Sequence, residues 1–196
     1  MNNSKFNMQN VRKLAEKVTE DNMIAYDDLP NYDLFLSQVT DYLNDKFTGE
    51  KYTNNVIQNY IKSEVISKPK DGKKRGYTKE HLAQLALLSY MRPVLTSDEI
   101  KKVFNLAFNE INNDEDDIIT WKNAYKMFSE IQRQHFKDFF SKQFFDEKQF
   151  KNFIEETRIS PEHEDRILVF LIVMSLIAQA SIIKKVAKEI VDNFAE

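Results

Sequence analysis

Glycine is nearly missing from this chain, and that scarcity restricts its fold more than any other feature. Only Gly49, Gly72 and Gly76 occur among 196 residues, where an average usage of about 7% would place roughly fourteen. Proline is limited to Pro30, Pro69, Pro93 and Pro161. A sheet protein needs many tight turns, so long helices are expected and the predicted fold class is mainly α. Neither GxGxxG nor GxxxxGK is present, which removes the glycine-rich phosphate loops. A chain of this length buries about 70% of its unfolded surface and needs no covalent staples. With no cysteine, thiol nucleophiles, disulfides, iron–sulfur clusters and cysteine zinc sites are excluded together.

Hydrophobic spacing divides the chain into an N-terminal helix or arm (1–28), a central domain (29–112) and a C-terminal helical domain (113–196). An amphipathic stretch covers about Ser4 to Glu20. Helix is predicted over Tyr32–Lys46, with Phe35, Val39, Tyr42 and Leu43 on one stripe and Gly49 as its left-handed cap. Thr53 is the expected N-cap of a short helix, Asn54–Ser63, whose Val56, Ile57, Tyr60 and Ile61 form the inner face. Val65–Lys68 and Lys73–Tyr77 then read as two extended pieces around the Asp71-Gly72 turn, a small hairpin. Thr78 opens a helix that points Leu82, Leu85, Ala86 and Leu88 inward and stops at Pro93. Thr96 to Glu99 is a capping box, with Ile100, Val103, Phe104, Ala107 and Ile111 on helical period behind it. Aromatic-rich helical sequence follows to about Glu156, and a last helix is expected from Pro161 to Phe194.

The net charge of -3 conceals a basic island. From Lys51 to Lys79 there are eight Lys or Arg residues against Glu64 and Asp71, so this segment carries +6 and the remainder -9. Such asymmetry points to a polyanionic partner. Inside the island, Asn54, Asn55, Gln58, Asn59 and Lys62 form the outer face of the short helix, and Asn and Gln amides match the adenine edge in a major groove. Lys70, Lys73, Lys74, Arg75 and Tyr77 belong to the hairpin, whose cations suit phosphates. Helix, turn, helix and basic hairpin in this order form a winged helix-turn-helix. The plain alternative is a surface helix beside a solvated hairpin.

Thr53 to Phe104 resembles the DNA-binding domain of MerR-type regulators: Tyr60, Lys62, Val65-Ile66, Pro69, Gly76-Tyr77 and Ser97-Asp98-Glu99-Ile100 stand where that family has its signature residues. More closely, Leu29 to about Asn112 is similar to an uncharacterised bacterial domain-of-unknown-function family of MerR-like character, through Leu-Pro-Asn-Tyr, Thr53–Tyr60 and Lys-Lys-Arg-Gly-Tyr-Thr. Gln58 and Asn59 replace the usual Arg and first aromatic, and Glu64 replaces a glycine. The resemblance implies a sequence-specific regulator acting on double-stranded DNA.

Other chemistries find less support. Asn112, Asp114 and Asp116 stand at positions 1, 3 and 5 of a calcium loop, but Asp117 occupies the glycine position and Asn123 that of the bidentate glutamate, so a solvated linker is the better account. His81, His135 and His163 are isolated, and no metal site or cofactor is expected. No catalytic grouping of side chains can be singled out, so an enzyme is not expected. Phe136, Phe139, Phe140, Phe144, Phe145, Phe150 and Phe153, with Trp121 and Tyr125, read as core in preference to a small-molecule effector pocket. Ile167–Ile183 is short for a bilayer span and contains Ser175, Gln179 and Ser181. A buried core or oligomer helix fits it better, and a homodimer through this helix is expected, with no membrane role and a cytoplasmic location. The alternative function is a helical protein-interaction module that keeps the winged fold without DNA.

Overall fold

Local caps set the helices that open at Asn54 and Ser97 where the sequence places them. In the computed structural model, which describes residues 13, 23–47, 51–69, 76–141 and 147–194, a 3-10 turn at Tyr26–Asp28 precedes seven α-helices. These are α1 (Leu36–Lys46), α2 (Asn54–Lys62), α3 (Lys79–Met91), α4 (Ser97–Asn105), α5 (Trp121–Ser141), α6 (Glu147–Glu156) and α7 (Glu164–Phe194). Thr53 Oγ1 accepts from the Val56 N–H at 3.3 Å and starts α2. At α4, Thr96 Oγ1 accepts from the Glu99 N–H at 3.3 Å while Glu99 Oε2 accepts from the Thr96 N–H at 2.6 Å, the reciprocal capping box. α3 ends at Met91, two residues before Pro93.

Residues 21–132, with the end of α7 from Ala187, form one compact unit, and residues 133–186 belong to another. The core of the first is built around α3, whose residues from His81 to Leu88 are all buried. A helix covered on every side carries no amphipathic stripe. Val39 and Leu43 of α1, Ile57 of α2, and Ile100 and Phe104 of α4 belong to the same cluster. Ile24, Tyr26, Trp121 and Tyr125 extend it at both ends of the segment. The Tyr125 hydroxyl donates to the Ile24 carbonyl at 3.1 Å, joining positions 101 residues apart. Phe108 stacks on Trp121 with ring centroids 3.5 Å apart.

Several expectations need correction. α1 begins at Leu36, not Tyr32, because Leu34 is extended and forms an isolated antiparallel bridge with Tyr77. Val65–Lys68 and Gly76-Tyr77 therefore form no hairpin strands among the described residues: one piece bonds to side chains of α3 and the other pairs with Leu34. α4 stops at Asn105, although Phe108 and Ile111 beyond it remain buried in the core cluster, Phe108 against Trp121. α7 starts at Glu164, behind a turn in which the His163 N–H bonds Ser160 O at 2.8 Å. The amphipathic stretch Ser4–Glu20 apart from Lys13, and the Gly49 cap, lie outside the described residues. Among those residues no helix is long and apolar enough to cross a membrane.

Candidate functional site

The outer face of α2 is the part of the basic island that the core holds most firmly. Ile57 is fully buried beneath it, while Asn54, Asn55, Gln58, Asn59 and Lys62 are all exposed. α1 and α2 pack together. Asn44 fixes the approach to α2, donating to Tyr52 O at 3.0 Å and accepting the Tyr52 N–H at 2.7 Å. Asn54 is drawn back toward α1, where its Oδ1 accepts from Thr40 Oγ1 at 2.7 Å. The outward amide face is therefore Asn55, Gln58 and Asn59, followed by Lys62.

α2 ends in a Schellman cap. The Glu64 N–H bonds Ile61 O at 3.1 Å and the Val65 N–H bonds Tyr60 O at 2.9 Å. Glu64 takes a φ of 56°, where glycine is at ease and a side chain costs about 1–2 kcal/mol. Lys101 covers this end, its Nζ donating to Ser63 O at 3.2 Å and lying 3.4 Å from Glu64 Oε2.

Beyond the cap, both flanks of residues 70–75 are pinned to the core. Gln84 Oε1 accepts from the backbone N–H and the hydroxyl of Ser67 at 2.8 and 3.0 Å. The Lys68 N–H donates to Asn112 Oδ1 at 2.8 Å, so Asn112 is a structural anchor as well as part of a surface loop. His81 Nδ1 accepts from the Thr78 N–H at 3.2 Å, which places the ring proton on Nε2, 3.2 Å from Lys68 O. On the other flank the Leu34 and Tyr77 backbones exchange N–H···O bonds of 2.8 and 3.2 Å.

Tyr77 is buried and makes an edge contact with His81, so its ring packs in the core and does not face outward. Lys70, Lys73, Lys74 and Arg75 lie outside the described residues. Among the described residues, no group of three or more His, Asp and Glu side chains is placed to hold a metal ion.

This unit is also what the family comparison recognises: the profile of a domain of unknown function, DUF1836, matches residues 24–128. The chain belongs to the DUF1836 family. The matched span begins at Ile24 and ends just past Tyr125, the two residues whose hydrogen bond closes the core. No curated protein and no solved structure matches the chain.

One surface outside the DUF1836 span is not apparent from composition. Along α7, Val169, Val173, Leu176, Ala180, Ile183, Ala187, Ile190 and Phe194 recur at alternating steps of four and three. That is the spacing of the a and d positions of a coiled coil, repeated over four heptads. Its large side chains are exposed, Ile183 at 67% and Phe194 at 77%. Counting the same positions in the sequence exposes the seam; treating 167–183 as one apolar run hides it.

Proposed function

We propose that the protein is a sequence-specific, double-stranded DNA-binding regulator of winged helix-turn-helix type, acting as a homodimer through α7. The observation that carries the reading is the outer face of α2. Three adjacent amides and Lys62 project from a helix whose opposite face is locked into a core and whose two ends are capped. A major groove about 12 Å wide admits such a helix, and Asn or Gln amides pair with the adenine edge. In this reading α1 and α2 are the helix-turn-helix, and the segment between Lys68 and Gly76 is the wing that meets phosphates with Lys70, Lys73, Lys74 and Arg75. Tyr77 anchors the wing from within. The heptad seam supplies the two-fold partner, and a dimer of such modules reads two half-sites.

Selection of bound fragments from a random duplex library, followed by fluorescence anisotropy, tests this. One palindrome is expected to be enriched. Asn55→Ala or Asn59→Ala should cost about 1–3 kcal/mol on that site and leave non-specific affinity and salt slope unchanged. Replacing Lys73, Lys74 and Arg75 together by Ala should weaken all duplexes alike and flatten the slope of log K against log salt by about 0.9 for each phosphate that is no longer neutralised. An unchanged slope would remove the basic island as the DNA face and leave a protein-interaction module as the better reading.

A further inference from the structure

A cleft of about 620 Å³ opens at the turn between α6 and α7, lined by Arg158, Ser160, His163 and Arg166 together with the apolar Ile167 and Phe170. Its volume lies within the roughly 300–1,000 Å³ of small-molecule sites. The chemistry of the lining is one-sided. Glu162, Glu164 and Asp165 are interleaved with these residues in sequence, and the Glu162 carboxylate lies 3.5 Å from His163 Nε2, yet among the described residues no carboxylate lines the cleft itself. Two arginines, a histidine and a serine line one space, and planar Arg forks match carboxylate and phosphate oxygens. Beside them Phe170 is 56% exposed, which leaves an apolar surface next to the charged one.

The backbone at Arg158 adds a second observation. α6 closes with the Arg158 N–H on Glu155 O at 3.1 Å and the Ile159 N–H on Ile154 O at 3.2 Å, another Schellman cap. Arg158 occupies its left-handed position at φ 54°. A side chain is disfavoured there relative to glycine, and the one present belongs to a residue that lines the cleft.

We propose that this cleft binds a small organic anion, a carboxylate or phosphate head on a compact apolar body. Arg158 and Arg166 hold the oxygens, Ser160 and His163 supply further hydrogen bonds, and Ile167 and Phe170 receive the body. The inference stands apart from the DNA reading and holds whether or not α2 enters a groove.

Calorimetry on the full chain with four probes decides it: phenylbutyrate, phenylpropyl phosphate, phenylbutanol and inorganic phosphate. Saturable binding of the carboxylate or the phosphate ester, one per chain, is expected, with the alcohol and the free phosphate weaker by about tenfold or more. The tighter of the acid and the ester identifies the head group. Arg166→Ala and Arg158→Gly should each weaken binding by about tenfold or more, the scale of one charge-assisted hydrogen bond. Glycine accepts the Arg158 backbone without strain, so Arg158→Gly removes the charge and leaves the melting temperature unchanged or higher. Equal binding of alcohol and acid, equal binding of inorganic phosphate and phosphate ester, saturation by none of the probes, or full affinity in both variants would overturn the proposal.

Discussion

Helices α3 and α7 are both rich in leucine, isoleucine, valine and alanine, yet the protein treats them in opposite ways. On α3, Leu82, Ala83, Leu85, Ala86 and Leu88 have no exposed surface at all. On α7, Val169, Phe170, Val173, Met174, Ile177, Ile183 and Ile190 are each exposed by 40% or more. Length explains part of the contrast. α3 has thirteen residues and is enclosed by the short helices of its own unit, whereas α7 has 31 and extends about 47 Å at 1.5 Å per residue. Spacing adds to it: α3 is apolar without a preferred face, whereas eight of the apolar residues of α7 keep heptad spacing, beside further exposed ones such as Phe170, Met174 and Ile177. Apolar content says only that a helix will be covered, and heptad spacing is the pattern that a partner helix would meet.

The sharpest way to break this comparison is to truncate one residue on each helix. Leu85→Ala should cost about 2–5 kcal/mol, a buried leucine with no room for collapse, and the cost should be the same at every protein concentration. Ile183→Ala should cost far less in dilute protein and show its effect only where chains associate, as a midpoint that shifts with concentration. Pairing Leu176→Lys with Ile183→Lys should yield a folded monomer by light scattering, against a dimer for the parent at tens of micromolar, a working range of about that order. A parent that is monomeric there, or an Ile183→Ala variant as damaged as Leu85→Ala at all concentrations, would mean that α7 is covered by its own chain.

What the sequence reveals follows the range of the interactions. Thr53 and the Thr96–Glu99 box act over three residues, so α2 and α4 start where the sequence says. The outward set of α2 follows from helical period alone, and with it the exposed Asn55, Gln58, Asn59 and Lys62, whereas the same period marks only part of α3, which is buried all round from His81 to Leu88. Long-range pairings are beyond that reach. Nothing near Tyr32 announces that Leu34 will pair with Tyr77, and nothing near Tyr77 distinguishes a buried ring from one facing a partner. Nor does the sequence near Ile24 show that Tyr125 closes the core over it. The Arg158 cleft is hidden for a related reason, since its acidic sequence neighbours mask the one-sided lining that only three dimensions separate.

A smaller effect tests how tightly the α2 end is determined within the well-packed unit. Glu64 is held at φ 56° by the two cap bonds and offers in return only an exposed contact with Lys101 at 3.4 Å. Such exposed pairs contribute about 0–1 kcal/mol, less than the roughly 1–2 kcal/mol cost of a left-handed non-glycine residue. Glu64→Gly should therefore stabilise the protein by up to about 1 kcal/mol in urea denaturation, and Glu64→Ala should not. If the glycine variant is less stable than the parent, the Lys101 contact outweighs the backbone term and the cap depends on the side chain.

The smallest expected effect locates the boundary between the two treatments along α7 itself. Its last turns are anchored: Val191 is buried, and Lys188 Nζ donates to Glu99 Oε1 at 2.8 Å. That hydrogen bond, followed by the one from the Thr96 backbone, holds the Glu99 carboxyl down at about 2, against an ordinary 4.5. A carboxyl depressed in the folded state adds stability above its unfolded value and loses it as pH falls toward the folded one. The Glu99 contribution is thus complete above about pH 4.5 and disappears on the way to about pH 2. Lys188→Met should raise the Glu99 midpoint in an NMR titration, though not fully to 4.5, because the Thr96 N–H still donates at 2.6 Å. Its acid-induced loss of stability should accordingly begin at higher pH than in the parent, while the DUF1836 core stays intact at neutral pH. A Glu99 midpoint that ignores the substitution would show that the end of α7 is not docked on α4.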